Sequence, residues 1–231
     1  MAAPTPRFEL FSVTKAEEEV LAHEILFQVW CAQLALANLP EALKVPAELE
    51  PLRGTTGSER GPAAGNPLLS SFIQWNARIW ITVHAILSAA AIVSRTLWPF
   101  THKRPKGLGD ILRANRADKL RTLWGVPSSS ILTDRDARDV FEHVDEKLIK
   151  WLDEYTPAKI MGLAIREVPP TGPTDKSETF RVIDPKTLVV WAGGRKADLR
   201  AIVNALEDVA TKLPPLTHRI DIALPPKDEE K

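Results

Sequence analysis

Hydrophobic and polar positions divide the chain into helix-like stretches, one proline- and glycine-rich break, and a short region of strand-like alternation. From Thr14 to Leu39, Ile25, Leu26, Phe27, Val29, Trp30, Leu34 and Leu36 leave little room for a polar face. That pattern predicts a central rather than a peripheral helix. Thr14 stands as its N-cap, with Glu17 three residues on as a capping box requires. Glu17, Glu18 and Glu19 suit the positive end of the helix dipole. Leu68 to Trp98 predicts a second long apolar helix, spanning roughly 45 Å and ended by Pro99. Gly109 to Trp124 reads as a shorter basic helix stopped by Gly125, Val126 and Pro127. From Thr133, a candidate N-cap, to about Tyr155, the residues Ala137, Phe141, Val144, Leu148, Leu152 and Tyr155 recur at spacings of three and four. That is an amphipathic helix with one apolar stripe.

Between the first two helices, Pro40 to Pro67 holds five prolines and four glycines. Such a stretch propagates helix poorly and has little to bury, so it reads as a long mobile loop. After the fourth helix the period changes. Ile160 to Val168, Thr179 to Ile183 and Leu188 to Trp191 read as short strands, and Asp184-Pro185-Lys186-Thr187 as a type I turn joining the last two in a hairpin. Asp198 to Leu213 is a closing helix with Leu199, Ile202, Val203, Leu206, Val209 and Leu213 on one face. The predicted class is α+β, mainly α: an antiparallel four-helix bundle with an appended β-hairpin and C-terminal helix. The expected organisation is a helical domain at 14–156, a small module at 157–215 packed on or beside it, and a charged tail at 216–231.

Composition then narrows the function classes. The 231 residues carry 30 Lys+Arg against 30 Asp+Glu, and 44% are hydrophobic. This excludes wholesale disorder and a uniformly basic nucleic-acid coat. One cysteine, Cys31, excludes a disulfide framework and a CxxC metal knuckle. The N-terminus has no basic region followed by an apolar run, and the longest apolar stretch, Ile79 to Val93, has 15 residues. A membrane span needs roughly 20. The expectation is a cytoplasmic protein that does not cross a membrane.

No two of His23, His84, His102, His143 and His218 have zinc spacing, and there is no Walker A loop, dinucleotide fingerprint or nucleophile elbow. No metal and no cofactor is expected. His84, midway along the second helix, reads as a buried and satisfied histidine. With Arg78 it also marks a position for a small-ligand site between apolar helices. The neutral total hides a local excess: Arg95 to Arg121 holds eight Lys/Arg against two Asp, a net of +6. Lys103, Arg104 and Lys106 lie beside Trp98, Phe100 and His102, and Arg113, Arg116 and Arg121 follow on the third helix. Cations track phosphates and rings stack on bases, so this is a candidate RNA-binding stretch; a solvated helix face is the plainer alternative.

The fourth helix carries Arg138-Asp139-Val140-Phe141-Glu142-His143, followed by Asp145-Glu146-Lys147-Leu148 and Trp151. An Arg, a polar residue, then His in the last helix of a bundle resembles the motif of the HEPN superfamily, small helical domains of which many are metal-independent endoribonucleases. The resemblance covers roughly residues 14 to 155 and is similar in its details to uncharacterised bacterial members. Asp139 stands where Asn is frequent there. It implies catalytic roles for Arg138, His143 and Asp139. The chemistry is coherent: His titrates near neutrality as acid or base, Arg stabilises phosphorane charge, and Asp139, four residues before His143, orients the imidazole. Arg138 and His143 fall about 140° apart on an ideal helix, so one helix makes no compact site, and activity is expected to require a homodimer. Against this, Asp134, Arg138 and Glu142 form an i,i+4 ladder, as do Asp139, His143 and Lys147, and such ladders also decorate solvated surfaces. The other reading is a non-catalytic module that dimerises or docks a protein partner.

Overall fold

A computed structural model describes residues 13–52, 67–99, 107–134, 139, 144–154, 164–165 and 180–216. The architecture is mainly helical with a small sheet. The elements are α1 (Lys15–Ala42), α2 (Leu69–Leu97), α3 (Leu108–Trp124), α4 (Val144–Glu154), β1 (Ala164–Ile165), β2 (Arg181–Ile183), β3 (Val189–Ala192), β4 (Arg195–Asp198) and α5 (Leu199–Ala210). Two 3-10 turns, Ala47–Leu52 and Ile131–Thr133, complete the set.

The start of α1 follows its sequence signal: the Thr14 hydroxyl accepts from the Glu17 N–H, and Glu17 reaches back to the Thr14 N–H. Its end does not. The helix runs through Pro40 to Ala42, and the following 3-10 turn buries Leu49. The loop expected from Pro40 therefore begins later than its composition suggests. Proline removes one N–H and restricts the residue before it, and near a helix C-terminus three more residues still fit. Thr133 is not a helix N-cap. It closes a 3-10 turn whose cap is Ser130, accepting from the Leu132 N–H, and its hydroxyl donates to the Ser130 carbonyl.

Hydrogen bonds fix the arrangement of the helices. The Trp75 indole, near the start of α2, donates to the Ala42 carbonyl at the end of α1, so the two long helices run antiparallel. At the opposite end the Trp124 indole of α3 donates to Glu18 of α1, and Arg121 donates to the Leu97 carbonyl that ends α2. Gly125, at φ 65°, caps α3 in the left-handed conformation that glycine adopts without strain.

The sheet has the order β1-β2-β3-β4. Three strands are antiparallel, and the short β1 joins β2 in parallel. The hairpin expected between β2 and β3 is present. Its Asp184 carboxylate accepts from the Lys186 and Thr187 N–H groups, and Leu188 sits at φ 57°, an unusual conformation for leucine, with its side chain buried. Strand β4 escapes a reading of the sequence. Gly193 and Gly194, both at positive φ, make a tight turn into it, but Arg-Lys-Ala-Asp has no apolar alternation to announce a strand.

Helix α5, capped by Asp198 accepting from the Ala201 N–H, buries Leu199, Val203, Leu206 and Val209. These belong to one continuous core with Ile25, Val29 and Leu39 of α1 and Ile79, Val83 and Ile86 of α2. The closing helix is thus part of the central packing, and a Gln33–Glu207 hydrogen bond of 2.8 Å pins it to α1. Both α1 and α2 are long and apolar enough to cross a membrane by length and composition alone. Yet the most apolar window of α2 is 56% buried within the fold, against 33% for α1. We expect Leu206→Ala to lower the unfolding free energy by about 2–5 kcal/mol, in a single urea transition seen alike by circular dichroism and tryptophan fluorescence. Two separated transitions would show that the strands and α5 fold apart from the helices.

Candidate functional site

The residues proposed from sequence fall in several places. Arg138 and His143 lie outside the described residues, as do Lys103, Arg104 and Lys106. Asp139 is helical and half-buried. On α3, Arg113 pairs with Asp110 one turn before it. Arg121 is largely buried, pairing with Asp118 while it holds the end of α2, so this cation serves the architecture. Arg116 is exposed, and it lies close enough to Glu17 to contribute to lowering that carboxyl's pKa, after the larger effect of the Thr14 hydrogen bonds. Of the three α3 arginines, Arg113 and Arg116 therefore face solvent. Among the described residues no cluster of His, Cys, Asp and Glu has the makings of a metal site. Cys31 is half-buried on α1.

A second constellation is not legible in the sequence. Trp80 and His84 are one turn apart on α2. Arg181, the first residue of β2, lays its guanidinium 5.3 Å from the centre of the Trp80 ring and 6.0 Å from that of Phe180. Phe180 in turn meets Trp151 of α4 at 5.7 Å. The arginine sits where an aromatic wall favours a cation. Burial lowers its pKa from the ordinary value. Burial also lowers the His84 pKa, and the charge of Arg181 adds to the effect. At neutral pH the imidazole is therefore neutral, with one donor and one acceptor nitrogen, beside a fixed cation. Chemically, such a pair accepts or relays a proton next to an anion-stabilising group. The sequence anticipates His84 as a satisfied core histidine or as part of a ligand site with Arg78. The cation near it is Arg181, from a strand about a hundred residues away, and no local spacing signals that contact.

Trp151 also corrects the face of α4. The stripe read from sequence passes through Leu148 and Leu152. In the structure Leu148 is half-buried, Trp151 is buried and Leu152 is at the edge of exposure. The helix is turned so that the larger ring, three residues after Leu148, takes the core position. One turn along α2 from His84, a shallow cleft with a volume of about 50 Å³ opens between Leu87 and Ala90 of α2, Leu132 of the 3-10 turn, and Ala197 and Ile202. Asp134, Lys196 and Asp198 stand at its rim. Two of these are committed elsewhere: Asp198 caps α5, and Lys196 lies 5.8 Å over Trp191.

A pH dependence follows from His84. The unfolded chain takes up this proton near the ordinary value of 6.5, and the folded chain only at lower pH. Below about pH 6.5 the unfolded state binds more protons, so stability is full above that value and falls as pH drops toward and through the folded pKa. Urea denaturation between pH 5 and pH 8 is expected to show this slope, and His84→Gln to flatten it. An unchanged slope in the variant would assign the acid sensitivity to other groups.

No protein-family model, no curated protein and no solved structure matches the chain.

Proposed function

We propose that the chain is a HEPN-like, metal-independent endoribonuclease that acts as a dimer. In this reading the helices form an antiparallel four-helix bundle, and Arg138, Asp139 and His143 form the reacting group. The observation that carries it is the Arg138-Asp139-x-x-x-His143 motif leading directly into α4. Trp151 packs that helix against Phe180, beside Arg181. Precise anchoring of the supporting element is what an acid–base pair requires. The helical state and half-burial of Asp139 suit a residue that orients an imidazole rather than one that is simply hydrated. In the mechanism, His143 takes the 2′-hydroxyl proton or protonates the leaving oxygen, while Arg138 presents a forked donor to the phosphate oxygens. The exposed Arg113 and Arg116, with Lys103, Arg104 and Lys106, guide the RNA backbone.

A second reading, a non-catalytic module that docks protein, is favoured by a different observation: the outer face of α1 is apolar and exposed.

The two readings separate in one assay. Purified protein is expected to cleave single-stranded RNA with EDTA present, and His143→Ala and Arg138→Ala are expected to lose on the order of 100-fold or more with unchanged circular dichroism. Wild-type protein and His143→Ala behaving identically would remove the nuclease reading and leave the docking module.

A further inference from the structure

Helix α1 is apolar on two opposite faces. Ala22, Ile25, Val29, Ala32 and Leu39 are buried in the core. On the far side Val20 is 67% exposed, Phe27 56%, Trp30 60% and Leu34 65%. Helices apolar all round are normally enclosed on every side. The outer residues follow a rule of their own. Val20, Phe27 and Leu34 are spaced by seven, and His23, Trp30 and Ala37 by seven, offset by three. That is the a/d pattern of a coiled-coil seam, on the side of the helix turned away from the rest of the described fold. The largest side chains, Phe27 and Trp30, stand at its centre. The smaller Val20, Leu34 and Ala37 lie toward the ends, and the exposed Glu24 and Asn38 border the stripe. An aromatic centre with a polar border is the distribution of a protein interface.

We infer that this face is a homodimer seam in which α1 packs antiparallel on α1 of a second copy. The inference rests on the surface of α1 and holds whether or not the Arg138–His143 motif is catalytic, although a dimer is also what that motif demands. Three features select the occupant. First, the stripe is self-complementary when reversed: Phe27 meets the partner's Trp30, Leu34 meets the partner's His23, and Val20 meets the partner's Ala37, with the two-fold axis between residues 28 and 29. Two Phe–Trp pairs then flank the axis, and each outermost pair sets a larger side chain against a small one. Second, charge sets the direction. Glu17, Glu18 and Glu19 crowd the N-terminus of α1. A parallel pair would bring six carboxylates to one end, whereas reversal separates them and opposes the helix dipoles. Third, area suffices. The exposed parts of Phe27 and Trp30 amount to on the order of 250 Å² per copy. With Val20, Leu34 and the flanking residues on both copies, the seam reaches the ~1,200 Å² at which stable interfaces begin. A lipid surface fits less well. Interfacial helices are flanked by cations that meet anionic headgroups, and α1 carries Lys15 alone among five carboxylates at Glu17, Glu18, Glu19, Glu24 and Glu41.

The test is sedimentation equilibrium of the full chain together with directed cross-linking. Wild type is expected to be dimeric at micromolar concentration, and Trp30→Glu to weaken association by about 30-fold or more. Because Trp30 is exposed, far-ultraviolet circular dichroism should not change, whereas the melting temperature should lose the dependence on protein concentration that dimerisation gives the wild type. In a Cys31→Ser background, a mixture of Val20→Cys and Ala37→Cys proteins is expected to form a disulfide between the two variants on mild oxidation, while Val20→Cys alone does not. Efficient cross-linking of Val20→Cys with itself would overturn the antiparallel arrangement. A monomeric wild type, or a dimer indifferent to Trp30→Glu, would overturn the seam. Wild type that floats with anionic vesicles through α1 while remaining monomeric would overturn it in favour of lipid. RNA cleavage by a dimer whose seam lies elsewhere would defeat this inference while leaving the nuclease reading intact.

Discussion

Packing of α1 against α2 is the contact on which the other elements depend. Ile25, Val29 and Leu39 on one helix and Ile79, Val83, Ile86 and Val93 on the other are almost wholly removed from water. Each such side chain contributes roughly 1.5–3 kcal/mol. The pair is then covered from one side by α5, through Leu199, Val203, Leu206 and Val209, and the sheet brings Val190 and Ala192 to the same core. The position of α2 follows: contacted by α1, α3, α5 and the 3-10 turn at Ile131–Thr133, it is buried around most of its circumference. α1 meets its neighbours on one side. The two helices have similar composition and different surroundings, and that difference leaves α1 with an apolar face and no cover within the chain's described residues.

What the sequence makes legible is whatever depends on near neighbours. The capping box at Thr14 and Glu17, the stop at Gly125, the turn at Asp184-Pro185-Lys186-Thr187 and the buried stripe of α5 are all local, and each is present. What escapes is set by tertiary partners. β4 is a strand because β3 pairs with it, not because Arg-Lys-Ala-Asp prefers that state. Trp151 outcompetes Leu152 for the core position because Phe180 offers it a ring. Arg181 reads only as part of a strand, since nothing beside it in sequence shows that Trp80 and His84 lie near its side chain. The Arg138–His143 motif is readable as a pattern, while its geometry falls on residues the structure does not describe.

Electrostatics gives a similar division. The net +6 of residues 95 to 121 looks like one basic surface when counted along the chain. In the fold, Arg121 directs its charge to Asp118 and its donors to the Leu97 carbonyl, and Arg113 is offset by Asp110. A cation held at a helix C-terminus has a structural role: it satisfies a carbonyl that the helix itself leaves unbonded. Only cations that meet solvent contribute to the field that draws in a phosphate backbone. The usable positive surface on α3 is therefore narrower than the count suggests, and rests on the exposed Arg116 and Lys119, with Arg113 exposed but paired to Asp110.

Two arginine–histidine combinations now stand in one molecule, and their chemistry differs. Burial, and then the charge of Arg181, lower the His84 pKa, so its imidazole is a weaker base than a solvated histidine. It lies on α2, a helix fixed on most sides, where movement is costly. Arg138 and His143 lie outside the described residues; in the proposed reading an ideal helix would set them about 140° apart, so a second surface would have to bring a substrate phosphate to both. A dimer would supply such a surface, and the exposed apolar face of α1 is an independent physical reason to expect one. These two requirements need not be met by the same interface. An α1 seam would stabilise a pair of chains by burying Phe27 and Trp30, whereas a composite cleft would have to place charged groups from two copies within hydrogen-bonding distance of one phosphate. Apolar burial is non-directional and tolerates small errors of position, but acid–base chemistry does not. Separating the tasks, with the α1 face holding two copies together and the anchored α4 region left to present the reacting groups, would be the physically simpler division of labour.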